Sequence, residues 1–477
     1  MPLNTSFIKL YRIPLLLVLS SFLFYVSFAY DLRRTDSIKL IMLYATLFFL
    51  FYKLINIFKH HITLLTWLAF GFRAIFIVAI PNLSQDFYRF IWDGRLIIEG
   101  INPYANTVEF FIRKGEFPLA QAQELYRGMG ELNGSHFSNY PPINQLCFAL
   151  AALFAGKSIL GSAIVLRLII ICADFGTLHF GKKLLEKLEL PIHNIFWYIL
   201  NPFIIIELTA NLHFEGLMIF FLVWSLYLLH SGKWLFAAFM LAFSISVKLI
   251  PLMFLPLFYQ WFNKRNIIAN VNKQSVFNNE FASSLPPRND NKKLIKLISF
   301  YAIIGITTLL FFMPFYFSGF INNYSKTIGL WFHQFEFNAS LYYIAREIGY
   351  TFRGYNEIDA IGKVTPIIVV LFILILAFFR KNKTMVQLIT SMLLVLSFYY
   401  FTATTVHPWY VATLLILSVF TTYKFPLVWS FTIILSYLAY SNPNDTENLW
   451  IIVLEYIIVY SIFIWEVFIK KATIQAA

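Results

Sequence analysis

The chain consists mostly of long apolar runs that are separated by short polar segments. An α-helix needs about 20 apolar residues to cross a bilayer, and many of the runs approach that length. The runs that predict spans lie at 13–30, 38–57, 62–80, 158–181, 194–210, 214–230, 233–247, 250–262, 295–318, 364–380, 385–403, 408–422, 426–440 and 448–468. The pattern predicts an all-α polytopic membrane protein with about 12–14 transmembrane helices.

Three polar segments interrupt this pattern, at 81–140, 263–293 and 319–363. The first of them contains seven of the 24 acidic residues, so it is the main segment outside the membrane. The short run at 141–155 follows it, and we interpret that run as dipping into the bilayer without crossing it. We expect residues 1–477 to form one membrane domain.

Composition and charge narrow the class of protein. Hydrophobic residues make up 59% and charged residues 13%, which excludes a soluble globule. Two cysteines, Cys147 and Cys172, exclude a disulfide framework. The net charge of +13 suggests nucleic-acid binding at first, but cytoplasmic loops of membrane proteins are rich in Lys and Arg.

The basic residues orient the predicted spans. With the N-terminus inside, most lysines and arginines between spans fall on the inner face, including those of the basic loop at 263–293. The segments at 81–140 and 319–363 then form two outer loops. Arg33 and Arg34 are the main exceptions, because they fall outside. Orientation explains most of the charge, so we expect membrane lipid and no nucleic acid as a partner.

The segment at 86–95 carries the strongest candidate chemistry. If it is helical, Asp86, Arg89 and Asp93 share one face by their i, i+3, i+7 spacing. Two carboxylates beside an arginine suit a general base for a hydroxyl, or a metal site. The structural alternative is an amphipathic helix on the membrane surface with a solvated ion pair, and the spacing alone favours that alternative.

A second set of polar and aromatic side chains lies at predicted outer ends of spans: Asn211, His213, Glu215, Lys248, His333, His407, Trp409 and Tyr410. Each alone has a structural explanation, such as a lysine that reaches the interface or an interfacial aromatic. Together they converge on the face that holds Asp86, which favours a functional site. Asp174 differs, because it lies in the middle of a predicted span.

Known motifs for nucleotide binding and for a catalytic metal are absent from the sequence. It contains no P-loop, no Rossmann fingerprint and no HExxH metal motif. Without a soluble nucleotide-binding domain, we expect an activated sugar donor to arrive within the lipid.

At this point the sequence resembles the GT-C-type glycosyltransferases, multi-span enzymes that use polyprenyl-phosphate sugars. The pattern Asp-x-Tyr-Arg-x-x-Trp-Asp-Gly-Arg at 86–95, with Asn-Pro-Tyr at 102–104 and Tyr-Pro-Pro at 140–142, resembles the first outer loop of bacterial polyprenol-phosphate-mannose mannosyltransferases. The order of Asp174, Asn201-Pro202, Asn211-x-x-x-Glu215 and Lys248-x-x-Pro251 resembles the catalytic subunit of GPI mannosyltransferase I. The similarity covers about 86–256, and His407-Pro-Trp-Tyr410 is the best match in the C-terminal half.

The resemblance implies a role for each candidate residue. It implies catalytic roles for Asp86, Asp93 and Arg89, with Asp86 as the base that deprotonates the acceptor hydroxyl. The leaving phosphate needs positive charge or hydrogen-bond donors, for which Lys248, His407 and Arg89 are candidates. Residues implied in substrate binding are Trp92, Tyr104, Tyr140, Asn211, His213, Glu215, His333, Trp409 and Tyr410. A single base opposite the leaving group implies inversion at the anomeric carbon.

The family often carries an Asp-x-Asp pair, whereas residue 84 here is Ser. The use of a divalent metal and the choice between Asp86 and Asp93 therefore stay open.

The sequence thus predicts a multi-pass hexosyltransferase, most simply a mannosyltransferase, that uses a polyprenyl-phosphate sugar and a lipid-linked or glycan acceptor. The loop motif favours a bacterial cell membrane. A transporter or lipid flippase is the alternative from another class, and it would place ionisable groups near the bilayer midplane, as Asp174 is placed. A polymerase or ligase of lipid-linked glycans shares the outer-face site and is the third alternative.

Overall fold

The computed structural model describes residues 5–263, 290–442 and 444–470. These residues fold as an all-α polytopic membrane protein; among them, Phe337 and Thr405 form one isolated bridge and no longer strand. The predicted basic loop at 263–293 falls mainly on 264–289, outside the described residues.

The first half of the chain folds into thirteen helices. They are α1 Thr5–Tyr30, α2 Ser37–Phe58, α3 Ile62–Ile75, α4 Asp86–Ile98, α5 Val108–Arg113, α6 Ala122–Ser135, α7 Pro142–Ala155, α8 Ile159–Lys187, α9 Phe196–Ile199, α10 Pro202–Ile204, α11 Glu215–His230, α12 Trp234–Val247 and α13 Phe258–Asn263. A π-helix, Ile205–Ala210, continues α10, and a 3₁₀ segment, Ile250–Leu257, precedes α13.

The second half adds eight further helices among the described residues. They are α14 Asp290–Phe312, α15 Phe320–His333, α16 Leu341–Arg353, α17 Ile358–Phe378, α18 Met385–Thr402, α19 Val411–Val419, α20 Phe425–Thr432 and α21 Leu449–Ile464. A 3₁₀ turn, Pro408–Tyr410, opens α19, and another, Ile433–Ser441, follows α20.

Seven helices of the described chain are long and apolar enough to cross a membrane: Arg12–Tyr30, Ser37–Phe58, Ile159–Lys187, Asn291–Phe315, Ile358–Phe378, Met385–Thr402 and Leu449–Ile469. Ile192–Ile199 and Pro202–Ala210 meet at a bend of 48° and together have the length and apolar composition of one further span. We name this bent pair the broken span. The other predicted runs form shorter apolar helices, except the run at 250–262, which forms the 3₁₀ segment and α13. Every predicted run contains helix, so the prediction of a polytopic all-α fold is confirmed, and the exact number of crossings stays a prediction.

The segment at 81–140, which the sequence predicts to be an outer loop, is a folded layer, and we name it the outer layer after that prediction. It forms α4, α5 and α6, and α4 packs closely against α7. Gly94 makes this approach possible, because a Cβ there would lie 2.1 Å from the carbonyl oxygen of Phe148 in α7. Helix α7 has 14 residues and is about 21 Å long, shorter than a bilayer core of about 30 Å.

The broken span ends beside this layer, and a buried arginine holds its end. Arg167 donates from Nε to the carbonyl of Thr209 at 2.9 Å and from Nη2 to that of Ala210 at 3.0 Å. Its Nη1 donates to the carbonyl of Ile77, beyond the end of α3, at 2.8 Å. Carbonyls at a helix end have no partner within their own helix, so Arg167 fixes where the broken span ends.

Asp174 is buried in α8 and carries a countercharge. Its Oδ2 accepts from Arg73 Nε at 2.8 Å, and both side chains are fully buried. Arg73 Nη1 also donates to the carbonyls of Ala69 and Ile199, so the pair joins α3, α8 and the broken span. A paired carboxylate that holds three elements together has a structural role, which removes the main sequence argument for a transporter.

Helix α8 separates the two ends of the bundle. Its 29 residues span about 40 Å. Its start lies beside the outer layer, because Arg95 Nη2 donates to the carbonyl of Lys157 at 2.9 Å. Its other end carries Lys182, Lys183 and Lys187, so the basic end and the end that holds α4 lie on opposite sides of the bundle.

Candidate functional site

Asp86 opens α4 at the end of the bundle that carries the outer layer. The side chain is half-buried, and its Oδ1 accepts a hydrogen bond of 3.0 Å from Nδ2 of Asn133. Burial raises the pKa of Asp86 above its usual range, while the hydrogen bond from Asn133 and the charges of Lys248 and Arg34 oppose that rise. A carboxylate with a raised pKa that remains reachable from solvent is suited to accept a proton.

Asp93, the second acid of the motif, is fully buried and saturated with partners. Its Oδ1 accepts from Arg89 Nε at 2.9 Å. Its Oδ2 accepts from the hydroxyl of Ser138 and from Gln145 Nε2, the latter at 3.0 Å. The structure therefore places Asp93 in a closed network that joins α4 to α7 and to the segment between α6 and α7.

Arg89 connects this network to Asp86. Its Nη1 donates to the carbonyls of Asn133 at 2.6 Å and His136 at 3.1 Å. Arg89 thereby fixes the end of α6, and with it the amide of Asn133 that binds Asp86. Because its guanidinium is buried and occupied, its geometry is that of a residue that positions the base.

Lys248 and Glu215 form an ion pair close to Asp86. Lys248 Nζ lies 2.9 Å from Glu215 Oε1, and the lysine side chain is 23% exposed whereas Glu215 is 0% exposed. The ammonium also lies 5.8 Å from the ring centroid of Tyr140. Lys248 ends α12 and Glu215 begins α11, so two helix ends and the Tyr140 segment meet beside the base.

The rings of His213, Trp409 and His407 form a stack. Trp409 lies between the two histidines, with its ring centroid 3.7 Å from that of His213 and 4.6 Å from that of His407. Burial lowers the pKa of His213 well below its usual range and lowers that of His407 to about 3. Both imidazoles are therefore neutral at physiological pH, and the stack brings no positive charge to the site.

The tautomer of His213 follows from its contacts. Nδ1 lies 2.8 Å from the carbonyl oxygen of Glu207, so in a neutral ring the proton is on Nδ1. Nε2 is then an acceptor, and it is buried without a hydrogen-bond partner among the described residues. The carboxylate of Glu207 accepts from the hydroxyl of Tyr437 at 3.0 Å. The broken span thus sets the orientation of His213.

Two other predicted substrate residues hold the backbone of the outer layer. Asn211 is buried, and its Oδ1 accepts from the backbone N–H of Leu83 at 3.2 Å. This bond ties the end of the broken span to the segment that leads into Asp86. Tyr104 is buried too, and its hydroxyl donates to the carbonyl of Tyr140.

The remaining predicted residues divide between packing and the site. Trp92 is buried and packs on Phe111, so its ring face is covered. Tyr410 lies in the aromatic cluster, with its ring 5.4 Å from that of His407. His333 ends α15, and its side chain lies outside the described residues.

Sequence reasoning missed two groups of residues that build the site. Asn133, Ser138 and Gln145 hold the two acids, but no motif distinguishes such amides and hydroxyls in a polar segment. Arg34 lies close enough to Asp86 to act on its pKa. The sequence did contain a signal for Arg34, because it falls on the predicted outer side, whereas most basic residues fall on the inner side.

The described residues do not assemble a recognisable metal centre. No three His, Cys, Asp or Glu side chains among them lie together as a set of ligands. The other acid of the motif, Asp93, already accepts hydrogen bonds on both carboxylate oxygens. The donor set at Asp86 does not fit a divalent metal.

Comparison with known proteins identifies the first half of the chain. Residues 34–263 match the family model described as alpha-(1->6)-mannopyranosyltransferase, N-terminal domain. The matched range contains Asp86, Glu215 and Lys248, and it ends before Trp409. No curated protein and no solved structure matches the chain. The family match confirms the resemblance to mannosyltransferases and supports a glycosyltransferase activity.

Proposed function

We propose that this glycosyltransferase of the mannosyltransferase type moves a mannosyl group from a polyprenyl-phosphate donor to a lipid-linked or glycan acceptor. The observation that carries the proposal is the position of half-buried Asp86 beside the cation of Lys248. A base and a cation at one end of a membrane bundle suit a reaction in which a hydroxyl loses a proton and a phosphate departs. The printed name of the matched family supports mannose and an α-(1→6) linkage.

In the proposed reaction, the acceptor hydroxyl attacks the anomeric carbon of the sugar. Its proton passes to the carboxylate of Asp86 as the new carbon–oxygen bond forms. The bond between the anomeric carbon and the phosphate oxygen breaks, and its electron pair stays on that oxygen. Attack opposite the leaving group by a single base-activated nucleophile gives inversion.

Asp86 suits the base better than Asp93. Asp93 has 0% exposure, and its three hydrogen bonds occupy both carboxylate oxygens. Asp86 has one amide partner and faces solvent in part. We assign Asp93 and Arg89 to positioning, because together they hold α4 and Asn133 in place.

The departing phosphate gains negative charge, and Lys248 is the proposed cation beside it. His407 was predicted to share this role, but a pKa near 3 makes its imidazole neutral, so it offers hydrogen bonding without charge. Trp409 is half-buried and both of its ring faces lie against imidazoles, so its exposed edge is the proposed contact for a sugar ring.

We further propose that the Asp86 end faces outward from a cell membrane. Lys182, Lys183 and Lys187 at the far end of α8 support this orientation, because such clusters favour the cytoplasmic side. A reporter inserted within 264–289 should be cytoplasmic. An external reporter would contradict the orientation without touching the chemistry.

The proposal is tested with purified protein, polyprenyl-phosphate mannose and an acceptor glycan. Asp86→Asn should lower turnover by about 10²–10⁴-fold, the usual contribution of general-base catalysis. Glu131→Gln is the matched control, because it removes an exposed acid from the same layer. Near-normal turnover of Asp86→Asn in folded protein would remove Asp86 as the base, and transfer from glucose or arabinose donors alone would remove mannose.

A further inference from the structure

The connection between α1 and α2 is attached to the segment that carries Asp86. Asn82 Nδ2 donates to the carbonyls of Phe28 at 2.7 Å and Leu32 at 3.2 Å. The hydroxyl of Tyr30 donates to the carbonyl of Ile75 at 2.7 Å. The connection is therefore held at the end of the bundle where α4 begins, and its basic residues have a defined position there.

Arg34 lies in this connection and stacks on an aromatic ring. Its guanidinium carbon lies 4.0 Å from the ring centroid of Tyr440, a residue of the C-terminal half. The side chain is half-buried, and no hydrogen bond or ion pair joins it to another described residue. Stacking fixes the plane of the guanidinium while its N–H donors stay available at the edge.

Two cations therefore lie near Asp86, and they differ in their partners. Lys248 has a carboxylate at 2.9 Å, that of Glu215, which neutralises much of its charge locally. Arg34 has an aromatic ring and no carboxylate partner in the described chain. Both charges act on Asp86, and Arg34 also acts on Tyr437 and Tyr440. Arg34 thus brings to the site a positive charge that no ion pair with a described residue holds.

We propose that Arg34, stacked on Tyr440, binds the phosphate of the lipid-linked donor and holds it as it leaves. The inference rests on the proposed function and names a ligand of that same site. Arginine presents parallel N–H donors that match two oxygens of a phosphate. The breaking bond leaves its electron pair on a phosphate oxygen, so the anion gains one charge and Arg34 binds it more strongly than the intact donor.

The placement also explains why Arg34 departs from the distribution of the other basic residues. A basic residue between the first two spans on the outer side opposes the orientation that the remaining charges favour. An anionic ligand at the Asp86 end accounts for a basic residue at this position. Arg33, its exposed neighbour, shares the position in sequence without the aromatic contact, so it is a matched control.

The experiment measures binding of farnesyl phosphate, a short isoprenoid phosphate, to the full-length protein in detergent. Arg34→Gln should weaken binding by about 10–100-fold, the size expected for a charge-assisted hydrogen bond to an anion. Arg33→Gln removes the same charge and should bind as the wild type does. Farnesol, which has no phosphate, should bind both variants and the wild type equally, so any loss is assigned to the phosphate.

Tyr440→Leu provides a second measurement that leaves Arg34 in place. Loss of the stacked ring should weaken farnesyl phosphate binding by less than loss of the arginine does. Unchanged binding in folded Arg34→Gln would overturn the inference, as would equal losses in Arg34→Gln and Arg33→Gln. The proposed function fails separately: if wild-type protein binds farnesyl phosphate through Arg34 but transfers no mannose, the phosphate site stands and the reaction does not.

Discussion

The two halves of the chain contribute different chemistry to one site. Residues 34–263, which match the mannosyltransferase family, supply the charged groups: Asp86, Glu215 and Lys248. The half after residue 263 supplies mainly rings, with Trp409 stacked between two neutral imidazoles and Tyr440 beneath Arg34. Under the proposed function, this difference corresponds to a division of labour, in which the matched half carries out the proton and phosphate chemistry and the other half contacts the sugars.

The strongest test of this division removes Lys248, the cation of the matched half. Lys248→Met should lower kcat/KM by about 10²–10³-fold, the cost of removing one group that stabilises developing negative charge. Lys157→Met is the control, because that lysine is exposed at the same end of the bundle and should leave activity unchanged. The measurement is the steady-state rate with a polyprenyl-phosphate mannose donor.

A double variant separates the two roles that Lys248 could have. If it served only to neutralise buried Glu215, Glu215→Gln combined with Lys248→Met would restore activity. If it binds the departing phosphate, the double variant stays inactive although it folds. Restored activity would therefore move phosphate chemistry away from Lys248.

The second test asks whether the charged half depends on its buried network. Asp93→Ala should lower the free energy of unfolding by about 3 kcal/mol, because it leaves the buried guanidinium of Arg89 without its carboxylate. Glu109→Ala breaks an ion pair of the same i, i+4 spacing whose arginine is mostly exposed and should cost at most about 1 kcal/mol. Thermal unfolding midpoints compare the two, and equal losses would contradict a structural role for Asp93.

The fold was largely predictable from the sequence, because the apolar runs encode the helices directly. The broken span shows the limit. Its residues form one continuous run at 194–210, yet the helix bends by 48° at Asn201 and Pro202. Proline lacks an N–H, so a break was foreseeable. Its place beside His213 depends on the contacts of Arg167 with Thr209 and of Tyr437 with Glu207, which join residues distant in sequence.

The site was predictable in its candidates and less so in their roles. The i, i+3, i+7 spacing put Asp86, Arg89 and Asp93 on one helix, but it could not show which carboxylate is enclosed. That depends on Ser138 and Gln145, which reach Asp93 from other segments. Trp92 illustrates the same limit, since an aromatic residue in a motif is equally suited to packing or to a ligand.

The third test addresses the aromatic half. Trp409→Leu should raise KM by up to about tenfold, since an aromatic contact contributes about 0.5–1.5 kcal/mol, and should change kcat less. Trp450→Leu is the control, because that ring is 82% exposed at the start of α21. A loss confined to kcat would contradict a sugar contact at Trp409 and assign that residue to the chemistry of the matched half.

The smallest expected effect concerns the pH dependence of the base. Asp86 accepts a proton only when ionised, so activity is lost as the pH falls through its pKa, which burial has raised. Asn133→Ala removes a hydrogen bond that opposes this rise. The acid limb of kcat/KM should therefore move to higher pH, while the rate on the plateau stays nearly unchanged.

Asn106→Ala, in the same outer layer, is the control and should leave the acid limb in place. A limb that does not move in Asn133→Ala would show that another group titrates. His213 Nε2, an acceptor without a hydrogen-bond partner among the described residues, would then be the next candidate for the base.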